Sequence, residues 1–295
     1  MKDRPLAYIE LFLAAVTWSS LFLFLKELEV AGIDPGNIIA ARMVLASILI
    51  AFIAFPMKLK HPKLIDIPLL LVPGVSFFIG AVLIATGEEG QSPGITAFIG
   101  FFVPIIISLL LLRKLHIKMN HIGIAALIVA VAGLMLTGFG DDINLDFSLF
   151  VIFIGACFAG VYFVFQKFLV KKHGPYIVTC YSMWGSLPIA LFFMPSFIGQ
   201  TSLMTGNSWL MLIGVTVVAT LIPFFLYTHA MKELGPAQGT AVNLLIPFFG
   251  SLLAWIVDGF TISVVTLIGG AISIIGVCLY VFRGLEKTEG DNVTS

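Results

Sequence analysis

The chain has 295 residues, of which 59% are hydrophobic and 11% charged, and its mean hydropathy is +1.09. A water-soluble domain carries about a quarter charged residues, so a globule of this composition would expose large apolar patches and aggregate, and its solvent must be a bilayer. The 16 Lys and Arg balance the 16 Asp and Glu, which removes the electrostatic case for a nucleic-acid partner.

A helix needs ~20 apolar residues to cross the hydrocarbon. By that measure the sequence predicts ten spans, near 6–25, 36–56, 67–86, 93–112, 119–138, 147–169, 176–198, 208–230, 236–257 and 262–282. The first is followed at once by the second with no secretory cleavage site, so it reads as an uncleaved span. It carries Glu10 one turn in and Trp18 near its middle. Glu10 is either a carboxyl that titrates during proton coupling or a helix-start glutamate favoured by the N-terminal dipole. Arg42 lies about six residues into the second span, where an ionised side chain costs at least ~2.5 kcal/mol at the bilayer centre. It reads as a fixed positive site for a substrate carboxylate or a gate ion pair, or as an arginine that snorkels or bonds backbone carbonyls.

Glu88 and Glu89 sit between Gly87 and Gly90 after the third span, where solvating a loop is the favoured reading over attracting cations to a mouth. Pro104 and Pro247 occupy equivalent places in the fourth and ninth spans. Each removes a backbone donor and marks either the central pathway or a packing kink. Trp18, Tyr162, Tyr181 and Trp184 lie inside spans and suit stacking or cation–π contact with a solute, or ordinary packing. His229, near the end of the eighth span, is a proton relay or a hydrogen-bonding partner of a neighbouring helix. Asn243, four residues before Pro247, contacts substrate or bonds across helices. Cys157, Cys180 and Cys278 lie in apolar runs without CxxC spacing and read as small hydrophobes. No metal-ligand cluster, paired intramembrane carboxylates or GxxxxGK[ST] pattern occurs, so no catalytic residue, metal or cofactor is expected and the chain is not read as an enzyme.

Lys and Arg are retained on the cytoplasmic side. With both termini cytoplasmic, 14 of the 16 basic residues fall on that side, while nine acids (Glu27, Glu29, Asp34, Glu88, Glu89, Asp141, Asp142, Asp146 and Asp258) fall on the other. At an offset of 143 residues Pro93 meets Pro236, Pro104 meets Pro247, Ser108-Leu109-Leu110 meets Ser251-Leu252-Leu253, and Gly133 meets Gly276. At 141, Phe12, Ala15 and Lys26 meet Phe153, Ala156 and Lys167. The fold expected is therefore an all-α polytopic membrane protein of ten transmembrane helices in two inverted five-helix repeats, 6–138 and 147–282, with a cytoplasmic tail 283–295. Inverted repeats of this kind mark secondary transporters.

Trp18-Ser19-Ser20, Ala40-Ala41-Arg42, Leu245-Ile246-Pro247 with Ala254-Trp255, and Ile268-Gly269-Gly270 with Gly276-Val277 resemble motifs of the EamA branch of the drug/metabolite transporter superfamily. Val103-Pro104 and Ala125-Ala126 with Gly133 repeat the pattern less closely. The likeness spans about residues 8–282. Ile117 and Phe260 stand where that family usually has glutamates, with only Gly259 and nearby Asp258 kept, so no role of those glutamates carries over. The resemblance implies a multi-pass carrier of the cell (plasma or inner) membrane that exports small organic metabolites such as amino acids by alternating access, with protons as a candidate coupling ion. Rival readings are a drug or quaternary-cation exporter, a membrane-embedded enzyme and a non-transporting bundle. The residues expected to meet substrate are Trp18, Arg42, Tyr162, Trp184 and Asn243, and those expected in coupling or gating are Glu10, His229, Pro104 and Pro247.

Overall fold

The computed structural model describes residues 4–55, 62–88, 96, 99–100, 103–104, 121–138, 147–234, 239, 242–258 and 264–283. Every regular element among them is helical. Six stretches are long and apolar enough to cross a membrane: Arg4–Val30, Pro35–Ala54, Leu64–Glu88, Phe147–His173, Pro175–Leu203 and Gly206–Leu234. Three shorter apolar helices accompany them, His121–Leu136, Asn243–Val257 and Leu267–Tyr280. The protein is a multi-pass membrane protein. The span expected near 93–112 falls mostly outside the described residues, although Thr96, Ile99, Gly100, Val103 and Pro104 within it are helical. Glu89, Ile117, Gly259, Phe260 and the tail after Arg283 also lie outside them.

The first span is not the single run expected. It divides into α1 (Arg4–Ser19) and α2 (Leu21–Val30) at Ser20. Short hydroxyl side chains compete with the backbone for helical carbonyls, and three do so in succession here. Thr17 Oγ1 bonds the carbonyl of Leu13 at 2.8 Å, Ser19 that of Ala15 at 2.7 Å and Ser20 that of Thr17 at 2.6 Å. A tight turn follows, in which Gly32 takes a φ of 87° and donates its N–H to Glu29; an L side chain is strained in that region. The chain then enters α3 (Pro35–Ala54) and, after a 3₁₀ turn at Leu64–Asp66, α4 (Ile67–Glu88).

The remaining helices are α5 (His121–Gly138), α6 (Phe147–His173), α7 (Pro175–Gln200), α8 (Gly206–Thr216), α9 (Ile222–Leu234), α10 (Ile246–Asp258) and α11 (Val264–Arg283). Gly174 alone, at φ 83°, turns the chain from α6 into α7. A π-turn over Val217–Leu221 joins α8 to α9, with Thr220 Oγ1 bonded to the carbonyl of Val215 at 2.8 Å. Pro223 follows directly and cannot donate to the preceding turn.

Polar contacts at the helix ends group the basic and the acidic termini separately. At the basic end Lys172 Nζ lies 2.7 Å from Asp66, tying α6 to the start of α4. At the acidic end the Asn37 amide donates to Gln200 at 2.7 Å and to Ser196 at 2.9 Å, and Gln200 donates to Asp34 at 2.7 Å, tying α3 to α7.

The most extensive pairings are α5 with α11, α4 with α6, α3 with α7, α4 with α7, and α1 with α9. In sequence register α1 corresponds to α6, α3 to α7, α4 to α8–α9 and α5 to α11. Exchanging the halves turns α1·α9 into α6·α4 and maps α3·α7 and α5·α11 onto themselves, whereas α4·α7 becomes the less extensive pairing of α3 with α8 and the π-turn. Lipid tails are as apolar as leucine, so such pairs are held by close packing over small residues. A methyl group at Gly133 would overlap the backbone of Gly269 and Ser273, and one at Gly276 would overlap that of Ala126 and Ala130. The two contacts are the same contact at an offset of 143, and Ser273 Oγ donates across it to the Ala130 carbonyl at 2.8 Å. Gly80 and Gly155 meet backbone to backbone in the α4·α6 pair.

Gly133→Val and Gly276→Val are each expected to destabilise the protein, by about 1–3 kcal/mol for overpacking. A thermal melt in detergent reads this as a lowered midpoint for both. Gly199→Ala in α7, where a methyl group meets nothing within 4 Å, is the control and leaves the midpoint unchanged or raised.

Candidate functional site

A partly open cavity of about 150 Å³ lies between the broken first span and helices α3, α4 and α6. Trp18, Leu21, Phe22 and Leu25 form the wall at the break, and Ile39 and Arg42 the wall from α3. Phe77, Ala81, Ile84 and Glu88 line it from α4. Those four recur at the spacing of a single helix face and cover about 16 Å at 1.5 Å per residue. The cavity thus runs from the middle of the span to the acidic end. Ala159 and Phe163 of α6, Thr96, Gly100 and Ile246 complete it.

Arg42 is 3% exposed, and its Nε–H has no acceptor among the described residues. A guanidinium carries five donors and no acceptor, and a buried donor left unpaired is costly. An apolar cavity holding a fixed cation is therefore set up to accept an anionic group from a guest.

Towards the basic end the cavity is floored by rings. Trp18 packs on Phe224 and Tyr227 with centroids 5.4 and 5.3 Å apart, and Phe77 on Phe224 and Tyr162 at 5.0 and 5.1 Å. Phe163 joins Tyr162 at 5.1 Å and Tyr227 at 5.6 Å. Beyond this floor, His229 Nδ1 lies 2.7 Å from Glu10 Oε2 and binds α9 to α1.

Of the residues singled out from the sequence, Trp18 and Arg42 line the cavity. Tyr162 is fully buried in the floor beneath it. Trp184 lies on a different surface, a groove shared with Ile48, Phe52, Phe55 and Leu187. There its Nε1–H donates to the Ser47 carbonyl at 3.2 Å, and it clamps α7 to α3. Asn243 is buried in the 3₁₀ turn Asn243–Leu245 ahead of α10, and its amide nitrogen has no acceptor among the described residues. Pro247 is the second residue of α10, directly after that 3₁₀ turn. It has no N–H to offer Asn243, and the Ile246 N–H bonds that carbonyl in 3₁₀ fashion instead. Pro104 is helical and buried. Ser19 links the two interruptions. Its Oγ lies 2.7 Å from the Ala15 carbonyl and 2.9 Å from that of Ile246, so one hydroxyl hydrogen is shared between the two halves.

Sequence reasoning favours a solvating loop for Glu88 and gives Ser19 no role beyond its place in the Trp18-Ser19-Ser20 run. The periodicity Phe77, Ala81, Ile84, Glu88 was the available signal for the first. No local signal marks the second, because its partner is 227 residues away.

The model of the EamA-like transporter family matches residues 5–139 and again 146–282. A protein of Streptantibioticus cattleyicolor named "Probable terminal-alkyne amino-acid exporter" is 25% identical over 279 residues, covering 94% of each chain. The "Uncharacterized transporter YdfC" of Bacillus subtilis is 24% identical over 267 residues, covering 88% of this chain and 86% of its own. The S-adenosylmethionine/S-adenosylhomocysteine transporter of Chlamydia muridarum is 23% identical over 272 residues, covering 87% and 85%. A solved crystal structure that is 16% identical superposes with a TM-score of 0.75 over 94% of this chain and 96% of that one, a likeness of fold.

Glu10→Gln and His229→Gln remove opposite partners of one contact. A double-mutant cycle on thermal stability is expected to give a coupling of roughly 0.5–3 kcal/mol. Additive losses would show that the two side chains do not support each other.

Proposed function

The chain belongs to the EamA-like transporter family, and on that premise we propose that it is a secondary carrier that exports small organic metabolites, amino acids among them. Membership of this family indicates a transporter rather than an enzyme. The observation that carries the reading is the buried guanidinium of Arg42 in an otherwise largely apolar cavity beside the break in the first span. A solute carboxylate would satisfy that cation through charge-assisted hydrogen bonds, while the apolar part of the solute meets Trp18. The amino-acid exporter among the relatives supports the same class of cargo.

On this reading the chain has ten spans, and residues 6–138 and 147–282 are inverted five-helix halves that rock against each other about the cavity, as in other inverted-repeat carriers. The basic end, with both termini and the tail 283–295, faces the cytoplasm, in keeping with the retention of Lys and Arg there. The aromatic floor, with Tyr162 in it, is the barrier on that side. The Glu10–His229 pair is the latch beneath it, and a proton is the ion it would take. Pro104 and Pro247 loosen the fourth and ninth spans where they pass the cavity. Asn243 offers its amide at the edge of that passage, and Trp184 keeps α3, and with it Arg42, in register with α7.

Counterflow in liposomes tests the carrier reading. Arg42→Gln is expected to cut flux of carboxylate-bearing metabolites at least about tenfold, the size of one lost charge-assisted bond. Arg42→Lys keeps the charge but not the planar fork and retains part of the flux. Unchanged flux in Arg42→Gln overturns the assignment. Glu10→Gln tests the latch. The other titratable side chains on the two helices it joins are Arg4 and Tyr8 on α1 and Tyr227, Lys232 and Glu233 on α9. A shifted pH profile of exchange is expected, and a profile identical to that of the unaltered protein removes Glu10 from coupling.

A further inference from the structure

The groove beside Trp184 takes no part in the carrier reading beyond the clamp between α3 and α7. It is open to the outside of the bundle and encloses about 560 Å³, with Ser47, Ala51, Phe52 and Phe55 on one side and Trp184 and Leu187 on the other. Phe52 is 75% and Phe55 90% exposed, so no described part of the chain covers that rim. In a bilayer its occupant comes from the membrane.

The contact of Asn37 with Gln200 joins the start of α3 to the end of α7, so the two helices run antiparallel. The groove lies toward their other ends, which are basic. Ser47 stands eight residues from Phe55, and Trp184 nine from Pro175. At 1.5 Å per residue both lie about 12–14 Å from that end. Half of a hydrocarbon core of ~30 Å is about 15 Å, so the groove has the depth of one leaflet. The bond from Trp184 Nε1–H to the Ser47 carbonyl, at 3.2 Å, crosses it at its inner end. Tyr181 packs edge-on against the indole at 5.2 Å and braces it there.

Both helices carry lysines just beyond the basic end. Lys58, Lys60 and Lys63 follow α3 in sequence, and Lys171 and Lys172 precede α7. The acid in those two connections is Asp66, which is paired with Lys172. Lysines placed just outside a membrane span attract anionic headgroups. A second copy of the chain is a poorer fit for the groove. Paired about a two-fold axis along the membrane normal, it would bring the same lysines together, and juxtaposed like charges repel.

We propose that this groove is a binding site for an anionic membrane phospholipid. One acyl chain lies along α3 between Phe52, Phe55 and Trp184, and the phosphate meets the lysines beyond the ends of α3 and α7. The bound chain covers the Trp184–Ser47 hydrogen bond and so braces the pairing of α3 with α7. The site is separate from the cavity at Arg42 and does not depend on what the protein carries.

The probes are phosphatidylglycerol and phosphatidylcholine with brominated acyl chains, which quench tryptophan fluorescence on contact. The full-length chain is placed in equimolar vesicles of the two lipids, with bromine on one or on the other. Subtracting the signal of Trp184→Phe isolates Trp184, and the exposed Trp209 and Trp255 report unselective boundary lipid. At Trp184 phosphatidylglycerol is expected to associate at least about fivefold more strongly than phosphatidylcholine, the contribution of one lysine near the surface. Replacing Lys58, Lys60 and Lys63 together with Gln is expected to bring the two lipids within about twofold of each other. Equal quenching by the two lipids overturns the proposal, as does a preference that survives the lysine replacements. Protection of Trp184 from both lipids also overturns it and points to a second copy in the groove. Native mass spectrometry of the unaltered chain needs no variant to fold. One phosphatidylglycerol is expected to be retained in preference to phosphatidylcholine supplied equally, and equal retention overturns the proposal.

Discussion

A carbonyl that loses its helical partner in the middle of a bilayer has no water to turn to, so it must find a donor within the protein. The centre of this molecule is arranged around that requirement. Three of its helical stretches are interrupted, at Ser20, at Val217–Leu221 and at Asn243–Leu245, and hydroxyl side chains stand at or beside each. Thr17, Ser19 and Ser20 serve the first, Thr216 and Thr220 the second, and Ser19 reaches the edge of the third through Ile246. The first and third interruptions abut the cavity, since Trp18 and Ile246 both line it. Irregular backbone is tolerated at membrane depth where it is buried in protein or faces a cavity, and here it does both.

The regular helices do the complementary work. Gly133 and Gly276 let α5 and α11 approach until backbone meets backbone, and Gly80 and Gly155 do the same for α4 and α6. Gly74 and Gly185 bring α4 against α7. Pairs packed this closely leave no room within themselves. The space that remains lies between pairs, where Trp18, Phe22, Phe77 and Phe163 replace the small residues. The same rings that bound the cavity stack on Phe224 and Tyr227 beneath it, so one aromatic cluster serves as wall on one side and floor on the other.

Much of this architecture was legible in the sequence, because membrane spans announce themselves by length and apolarity and because the offset match of Gly133 with Gly276 marks two equivalent close contacts between α5 and α11. Arg42 was legible for a related reason: a lone charge in a span has few innocent explanations. What stayed hidden depended on geometry over short or very long ranges. The break at Ser20 sits in an unbroken apolar run, and only the succession of three hydroxyls in four residues hints at it. Glu88 stands in a Gly-Glu-Glu-Gly neighbourhood that reads as a solvating loop. Its place in the site follows only once α4 is seen to continue through it. Glu10 and His229 each looked like isolated groups, and their contact joins residues 219 apart. Trp184 resembles a pathway aromatic in composition, yet its indole is occupied with the Ser47 carbonyl on an outer groove.

The symmetry between the halves is incomplete in one place. The counterpart of the Ser20 break in the second half falls near Phe158-Ala159-Gly160-Val161, which offers no hydroxyl, and α6 runs through it without interruption for 27 residues. On the carrier reading, two conformations related by swapping the roles of the halves would therefore not be equivalent, and their free energies would differ. For a carrier without a coupling ion this gap cannot move solute uphill, since the equilibrium across the membrane is independent of the protein. It governs instead which face is presented at rest. Half-saturation from the two sides of the membrane then falls at different concentrations, with maximal rates differing in the same ratio, so the kinetics become one-sided while the thermodynamics stay even-handed.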